Sequence, residues 1–250
     1  MIHRGHCSLR TVRKSQTMKK VAPQVYRFSG LTAGNAYLID DADGLTIIDT
    51  SIAPSGAKIL KQITALGRQL SEVKRILITH AHPDHIGGLP EVQQATGAQV
   101  IASALEKPVI QGEMPIPRVP DDKKTGLARF ISMPETTMPG TPVHRVVEDG
   151  EILPEVLGGL QVVATPGHAP GHLAWWQPAQ RILFCGDTIF RLPNLRLPFS
   201  FFTVDMAENK RSIARLAALD ADIVCFGHGK PLVENTAQSI RGFSAKVNAH

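Results

Sequence analysis

The sequence is poor in the features that mark several classes of protein. It has three cysteines in 250 residues, Cys7, Cys185 and Cys225, at wide spacings without a pattern, which argues against a disulfide framework or a cysteine-based metal site. No apolar run approaches the roughly 18 to 20 residues of a membrane-spanning helix, and the N-terminus lacks the apolar core of a secretory signal. We therefore expect a cytoplasmic protein with reduced thiols and no membrane partner.

Positive charge is concentrated at the N-terminus. The formal net charge is +5, and residues 1–17 have no acidic residue but four basic ones, Arg4, Arg10, Arg13 and Lys14. The remainder is nearly neutral, which argues against a nucleic-acid partner. We expect a small-molecule substrate and a monomer or homodimer. Residues 1–17 are interpreted as a disordered extension or an over-called start before Met18, with a targeting role as the alternative.

An internal repeat organises the rest of the chain. Residues 36–50 and 173–188 each read as a β-hairpin that ends in Asp-Thr. Each hairpin is followed by a helical pattern and then by a buried strand that ends in histidine; these segments are 56–66 with 75–80, and 208–219 with 222–228. Two such halves predict an α/β fold, a four-layer αββα sandwich with pseudo-twofold symmetry whose Asp-Thr and histidine ends share one edge.

A segment rich in proline interrupts this pattern. Residues 108–142 contain seven of the eighteen prolines and have no sustained hydrophobic period. We expect a loop-rich insertion within a single domain spanning residues 18–250. It is either a lid or a plain surface excursion.

The residues after the first buried strand have the composition of a metal site. Four ligand types, His80, His82, Asp84 and His85, lie within six residues. A lone histidine would indicate only a hydrogen-bonded structural residue, but this density indicates metal binding. His80 and His82 point the same way on an extended chain, whereas Pro83 forces a turn before the other two, so the pairs can serve different ions. Further ligands come from strand ends beside glycine, at His168, Asp187 and His228.

These residues resemble a known family. The run from His80 to His85 is similar to the signature of the metallo-β-lactamase superfamily, and His168, Asp187 and His228 follow in that family's order and approximate spacing. The resemblance covers roughly residues 20 to 245. It implies one metal on His80, His82 and His168, a second on Asp84, His85 and His228, and Asp187 as the bridge. It also implies that Asp49 orients a ligand histidine from behind, and that His172 is a supporting residue without metal.

The ligand types suit divalent metal ions. A histidine and carboxylate set without thiolate favours two Zn²⁺ ions, with iron or manganese as alternatives. Two close ions lower the pKa of a shared water and stabilise a developing oxyanion. The resemblance therefore implies a metal-bridging hydroxide as nucleophile, with Asp84 as the proton shuttle to the leaving group.

Departures from individual branches of the family narrow the reaction. A bridging Asp187 is typical of lactonases, glyoxalase II-type thioesterases and phosphodiesterases and argues against a β-lactamase. Phe190 replaces the tyrosine of acyl-homoserine lactonases, and the C-terminus lacks the extra helical domain of glyoxalase II. We expect hydrolysis of a lactone, ester or thioester. The alternatives are a phosphodiester or phosphotriester hydrolase, a β-lactamase, an oxidoreductase resembling mononuclear-iron persulfide dioxygenases, and a scaffold with a vestigial site.

The segment after Asp187 is the clue to the substrate. It carries four phenylalanines, Phe190, Phe199, Phe201 and Phe202. These side chains form either a core loop or, if they are exposed beside the metals, an apolar acyl-binding wall. In the second case Arg191 or Arg196 can pair with a substrate carboxylate.

Deleting residues 1–17 should leave folding and turnover unchanged, because the tail has neither apolar periodicity nor a candidate ligand. The measurement is the melting temperature and specific activity of the shortened chain beside the full one. A marked drop in melting temperature would show that the tail packs against the fold.

Overall fold

Two β-sheets form the centre of the protein. The computed structural model describes residues 18–120 and 135–249. The first sheet has seven strands in chain order, β1 (Lys19–Ala22), β2 (Val25–Arg27), β3 (Tyr37–Asp41), β4 (Gly44–Ile48), β5 (Val73–Leu77), β6 (Gln99–Ala102) and β7 (Arg145–Val146). The second has five, ordered β14 (Ile223–Phe226), β11 (Ile182–Gly186), β10 (Leu173–Gln177), β9 (Leu160–Ala164) and β8 (Ile152–Leu153). A separate hairpin pairs β12 (Phe190–Arg191) with β13 (Leu195–Arg196).

The helices are divided between the two halves of the chain. Those of the first half are α1 (Gly56–Ala65), α2 (Pro83–Ile86), α3 (Leu89–Thr96) and α4 (Lys107–Ile110), and those of the second are α5 (Met206–Ala217) and α6 (Thr236–Asn248). Within the described ranges, none combines the length and apolar character needed to cross a bilayer.

Alternation along the strands builds the layers. Leu38 and Ile47 point to one face of the first sheet and share a buried cluster with residues of α1 and α3. Ile39 and Ile48 point to the other face, where they share a cluster with Trp175 and further residues of the second sheet. A third cluster joins the outer face of the second sheet to α5 and α6. Because strands buried on both faces are apolar at successive positions, the sequence reads as short continuous hydrophobic runs. The layering confirms the predicted αββα sandwich.

The two predicted halves share one topology. In the first, the antiparallel hairpin β3–β4 is followed by α1 and then by β5, which pairs parallel with β4. In the second, the hairpin β10–β11 is followed by α5 and then by β14, which pairs parallel with β11. Parallel neighbours end at the same edge of a sheet. Asp49 and Asp187, each one residue beyond its strand, therefore lie beside the loops that carry His80 and His228.

The proline-rich segment begins within helix α4. Pro108 lies in the first turn of this helix, where proline is tolerated. Residues 111–120 and 135–144 contain no helix or strand, as expected for a loop. The remainder of the segment, residues 121–134, and the tail, residues 1–17, lie outside the described residues. Cys185 on β11 and Cys225 on β14 are buried free cysteines.

Candidate metal centre

The loop after β5 changes direction at Pro83. His82 is extended, with φ −82° and ψ 152°, and α2 begins at the following proline. Asp84 and His85 consequently lie in the first helical turn, while His80 and His82 precede it. This is the turn predicted from the sequence, and it separates the two pairs of side chains. His80 and His85 are fully buried.

Three histidine rings converge at the first of two groups. His80 Nε2 lies 3.1 Å from His82 Nδ1, and His168 Nε2 lies 3.0 Å from the same atom. Two nitrogens bound to one tetrahedral zinc, each at about 2.0 to 2.1 Å, are about 3.3 Å apart. Both distances are therefore close to the spacing of two ligands on one zinc ion, and the candidate ligand atoms of all three residues lie within 4.8 Å of one another.

Hydrogen bonds on the far side of two rings set their tautomers. Thr79 Oγ1 donates to Asp49 Oδ2 at 2.7 Å, so it accepts from His80 Nδ1 at 3.0 Å. Thr203 Oγ1 donates to the Phe199 carbonyl and so accepts from His168 Nδ1 at 3.1 Å. Since each Nδ1 carries the proton, each Nε2 presents a lone pair to the first group.

The second group combines two carboxylates and two imidazoles. His228 Nε2 lies 3.1 Å from Asp84 Oδ2 and 3.2 Å from Asp187 Oδ2. His85 Nε2 lies 3.2 Å from Asp187 Oδ1. The candidate ligand atoms of these four residues all lie within 4.8 Å of one another.

Asp187 lies between the two groups. Its Oδ2 is also 3.5 Å from His168 Nε2 and 4.0 Å from His80 Nε2. A Cβ added at Gly227 would lie 1.9 Å from Asp187 Oδ1, so only glycine leaves room for this carboxylate. The seven residues proposed as ligands are thus brought together, with Asp187 between the two groups.

The residues fit divalent cations. Although His85 Nε2 and Asp187 Oδ1 are buried and close to each other, neither has a hydrogen-bond partner among the described residues. Buried polar atoms are rarely left in this way unless an ion or water satisfies them. Nitrogen and carboxylate oxygen are the ligand types that zinc takes.

The electrostatics favour the ligand forms of several side chains. Burial lowers the pKa of His82 to about 4, which keeps its imidazole neutral. Although burial opposes it, the hydrogen bond from His228 lowers the pKa of Asp84 to about 2. Burial also opposes the ionisation of Asp187, but the neighbouring His85 and His228 hold its pKa well below the usual range. Both carboxylates are therefore ionised at neutral pH.

Asp49 supports a histidine in each group. Its Oδ2 accepts from His85 Nδ1 at 2.8 Å and from the Thr79 hydroxyl, which in turn accepts from His80. Its Oδ1 accepts from the Thr79 backbone N–H at 2.9 Å. The orienting position expected for Asp49 thus extends, through Thr79, to both groups.

His172 holds the backbone of the bridging carboxylate. Its Nε2 accepts from the Asp187 N–H at 3.0 Å, and its Nδ1 donates to Thr165 Oγ1 at 2.8 Å. Burial lowers the pKa of His172 to about 3, so the ring is neutral and can accept. Among the described residues, His172 is in neither of the two ligand groups.

Three supporting residues were missed by the sequence analysis. Thr79 precedes a ligand in the chain, so its position was a usable signal. Thr203 and Glu106 lie far from their partners in sequence, and only the fold brings them to the ligand loops. Nothing local in the sequence distinguishes them.

The phenylalanines divide between core and surface. Phe190 is buried, and its ring centre is 4.5 Å from that of His228. Phe199 follows at 5.8 Å from Phe190, and Phe201 stacks on Phe199 at 5.4 Å. Phe202 continues the row at 4.3 Å from Phe201. The last three are exposed, so this aromatic row runs from the ligand His228 to the protein surface.

The two arginines of this segment have other partners. Arg191 Nη1 donates to the carbonyls of Lys230 and Pro231, at 3.2 and 2.6 Å. The Arg196 guanidinium lies over the Phe199 ring, 4.7 Å from its centre. Arg191 therefore braces the loop after His228, and Arg196 is the arginine that lies on the aromatic row.

Comparisons with known proteins agree with this geometry. A probable metallo-hydrolase of Bacillus subtilis is 27% identical over 84% of this chain and 86% of its own length. A hydroxyacylglutathione hydrolase of Rhodobacter capsulatus is 32% identical over 79% of this chain and 63% of its own length. A subclass B3 metallo-β-lactamase from a soil metagenome superposes with a TM-score of 0.64 at 26% identity, covering 94% of this chain and 86% of that one.

The family model of the metallo-β-lactamase superfamily matches residues 29–228, from the loop after β2 to the last candidate ligand, His228. This span includes both ligand groups and both halves of the sandwich. The chain therefore belongs to the metallo-β-lactamase superfamily, as one of its metallo-hydrolases.

Proposed function

We propose that this protein hydrolyses a lactone, ester or thioester with two divalent ions, zinc by ligand type, held by the seven convergent side chains. The observation that carries the proposal is the sharing of Asp187 between two ligand groups, with the aromatic row of Phe190, Phe199, Phe201 and Phe202 leading away from one of them. Two ions in such a site supply a water of lowered pKa and polarise the scissile carbonyl.

Asp84 is proposed to move the proton to the leaving group. Its side chain is 30% exposed, whereas that of Asp187 is 3% exposed. A proton carrier must reach both the reacting centre and the departing oxygen or sulfur, and of these two carboxylates only Asp84 is open to solvent. Asp187 is confined between the ligand groups.

The aromatic row favours an apolar acyl or aryl group on the substrate. Its exposed rings offer a flat apolar surface that begins beside His228, and a bound acyl chain would remove that surface from water. Hydroxyacylglutathione hydrolases among the relatives act on an acylated thiol by name, which supports the thioester class.

β-Lactam hydrolysis is the second candidate. It is favoured by the structural similarity to a subclass B3 metallo-β-lactamase. The resemblance implied that Asp187 bridges two ions, which argues against a β-lactamase. The ester-like substrates are therefore favoured over β-lactams. Substrate profiling separates the two.

The metal-loaded protein should contain about two divalent ions, one for each ligand group. His82→Ala should remove the ion of the first group and His85→Ala that of the second, since each loses a ligand. Asp187→Asn should lower occupancy of both. Elemental analysis with calorimetric titration measures this; one iron per chain together with oxygen consumption would instead indicate a dioxygenase.

Asp49→Asn should weaken metal binding about 10- to 100-fold, because an amide cannot accept from Thr79 N–H, Thr79 hydroxyl and His85 Nδ1 together. Zinc affinity by competition with a chelator is the measurement. Asp43→Asn is the matched control, since Asp43 pairs with Arg75 at the far end of the same hairpin. Equal losses in both variants would contradict the orienting position of Asp49.

A panel of lactones, aryl esters, thioesters, phosphodiesters and β-lactams should show a preference for apolar acyl compounds and little β-lactam turnover. Phe201→Ala or Phe202→Ala should raise KM for long acyl chains more than for short ones, by roughly 5- to 30-fold for about 1 to 2 kcal/mol of lost apolar contact.

Ile152→Ala is the control for this experiment, because Ile152 is exposed and lies on β8, at the opposite edge of the second sheet from β14. It should leave the chain-length preference unchanged. Phosphodiesters or β-lactams at the head of the panel, or Phe variants that lower only stability, would refute the substrate assignment.

A further inference from the structure

Glu106 lies buried between the two loops that carry the first ligand group. Its Oε2 accepts from the Ala81 N–H at 2.8 Å, and its Oε1 accepts from the Gly171 N–H at 2.7 Å. Ala81 separates His80 from His82. Gly171 lies three residues after His168, so one carboxylate joins both loops.

The backbone of Gly171 is in close contact with the Ser103–Glu106 turn. The Ser103 hydroxyl donates to the Gly171 carbonyl at 2.7 Å, so the turn that carries Glu106 binds both backbone groups of this residue. A Cβ added at Gly171 would lie 2.4 Å from Ser103 Oγ and 2.7 Å from Leu105 Cβ. The His168 loop is consequently held against the Ser103–Glu106 turn without room for adjustment.

On its other side the same loop is held by the segment that follows the aromatic row. The Val204 and Asp205 N–H groups donate to the carbonyls of His168 and Gly167, at 3.2 and 2.8 Å. The loop is thus fixed from both sides, and Glu106 is the charged group among these contacts.

The charge on Glu106 has no cationic partner among the described residues. It forms no ion pair there, and it is 2% exposed. Burial raises its pKa, while the bonds from Ala81 and Gly171 lower it. Only an ionised carboxylate offers one acceptor oxygen to each of these two N–H groups, and its uncompensated negative charge then favours a cation that lies nearby when the protein is loaded.

We propose that Glu106 is a positioning residue for the first metal ion: it holds His80, His82 and His168 in one coordination sphere and its charge favours a dication there. This rests on the metal centre of the proposed function and is independent of the substrate. Among the candidate ligands of the second ion, His85 bonds to Asp49 and the Asp187 backbone to His172, whereas Glu106 bonds only to the loops of the first group, so we expect Glu106 to act mainly on the first ion.

The test is Glu106→Gln in the full chain, which keeps the shape of the side chain but replaces one acceptor by a donor that faces an N–H. Zinc affinity is measured by chelator competition, and the environment of the first ion by the visible absorption of bound Co²⁺. We expect a loss of about 10- to 100-fold at the first ion and a change of less than about threefold at the second. Adding zinc should raise the melting temperature of this variant less than that of the unaltered chain. The melting temperature of the metal-free protein should change less than this zinc-dependent increase does.

Asp41→Asn is the matched control. Asp41 is also a partly buried carboxylate that accepts a backbone N–H, from Leu157 at 3.0 Å, and joins the two sheets. It is the last residue of β3 and pairs with Gly44 at the start of β4, which places it roughly 16 Å from Asp49 at 3.3 Å per residue along β4. This variant should bind both ions as the unaltered chain does.

Zinc affinity unchanged in Glu106→Gln, or reduced equally in Asp41→Asn, would overturn the proposal. If Glu106→Gln does not fold, Glu106→Asp decides: it retains charge but cannot reach both N–H groups, and unchanged affinity at the first ion would overturn the proposal equally. A chain that binds two ions but hydrolyses no ester-like substrate would refute the proposed reaction and leave this inference standing.

Discussion

The site depends on holding three imidazole nitrogens in one group, and two carboxylates with two imidazoles in the other, at fixed positions around one another. In the first group, His80 Nε2 and His168 Nε2 each lie about one zinc-ligand spacing from His82 Nδ1. In the second group, the carboxylates Asp84 and Asp187 lie close together. Several of these side chains are fixed from the side that faces away from the cluster. Hydrogen bonds on the far side of the rings do this, and they end on the fold through Asp49, Thr203 and His172. The supporting contacts are therefore as necessary to the metal centre as the ligands.

The repeated topology explains where these contacts come from. Each half places an aspartate directly after the second hairpin strand, beside a parallel strand whose following loop carries histidine. The two aspartates make different contacts. Asp49 accepts hydrogen bonds on the side of the candidate ligands that faces away from the site, whereas Asp187 lies among those ligands. Their surroundings cause the difference, since the His172 ring binds the Asp187 backbone and Gly227 leaves space for its carboxylate.

In the proposed function, chemistry and substrate selection belong to different parts of the molecule. The ligand groups lie on short loops anchored to buried strands, while the aromatic row lies on the connection between β11 and α5. Thr203 links the two, because its hydroxyl contacts both His168 and the Phe199 carbonyl. Under this proposal, changes in the exposed rings alter selectivity while the candidate ligands keep their positions.

The amino-acid sequence alone determined the layered fold through hydrophobic periodicity, and it indicated the four candidate ligands from His80 to His85 through their local density. His168, Asp187 and His228 were indicated by strand ends beside glycine and by the order and spacing of the family that the sequence resembles. It also indicated Asp49 and His172, through their resemblance to family positions. Tertiary structure decided the remainder. The direction of each phenylalanine, the engagement of Arg191 by backbone carbonyls and the buried contacts of Glu106 depend on residues distant in the chain. A local sequence pattern cannot show such contacts, because they form only when separate strands and loops pack together.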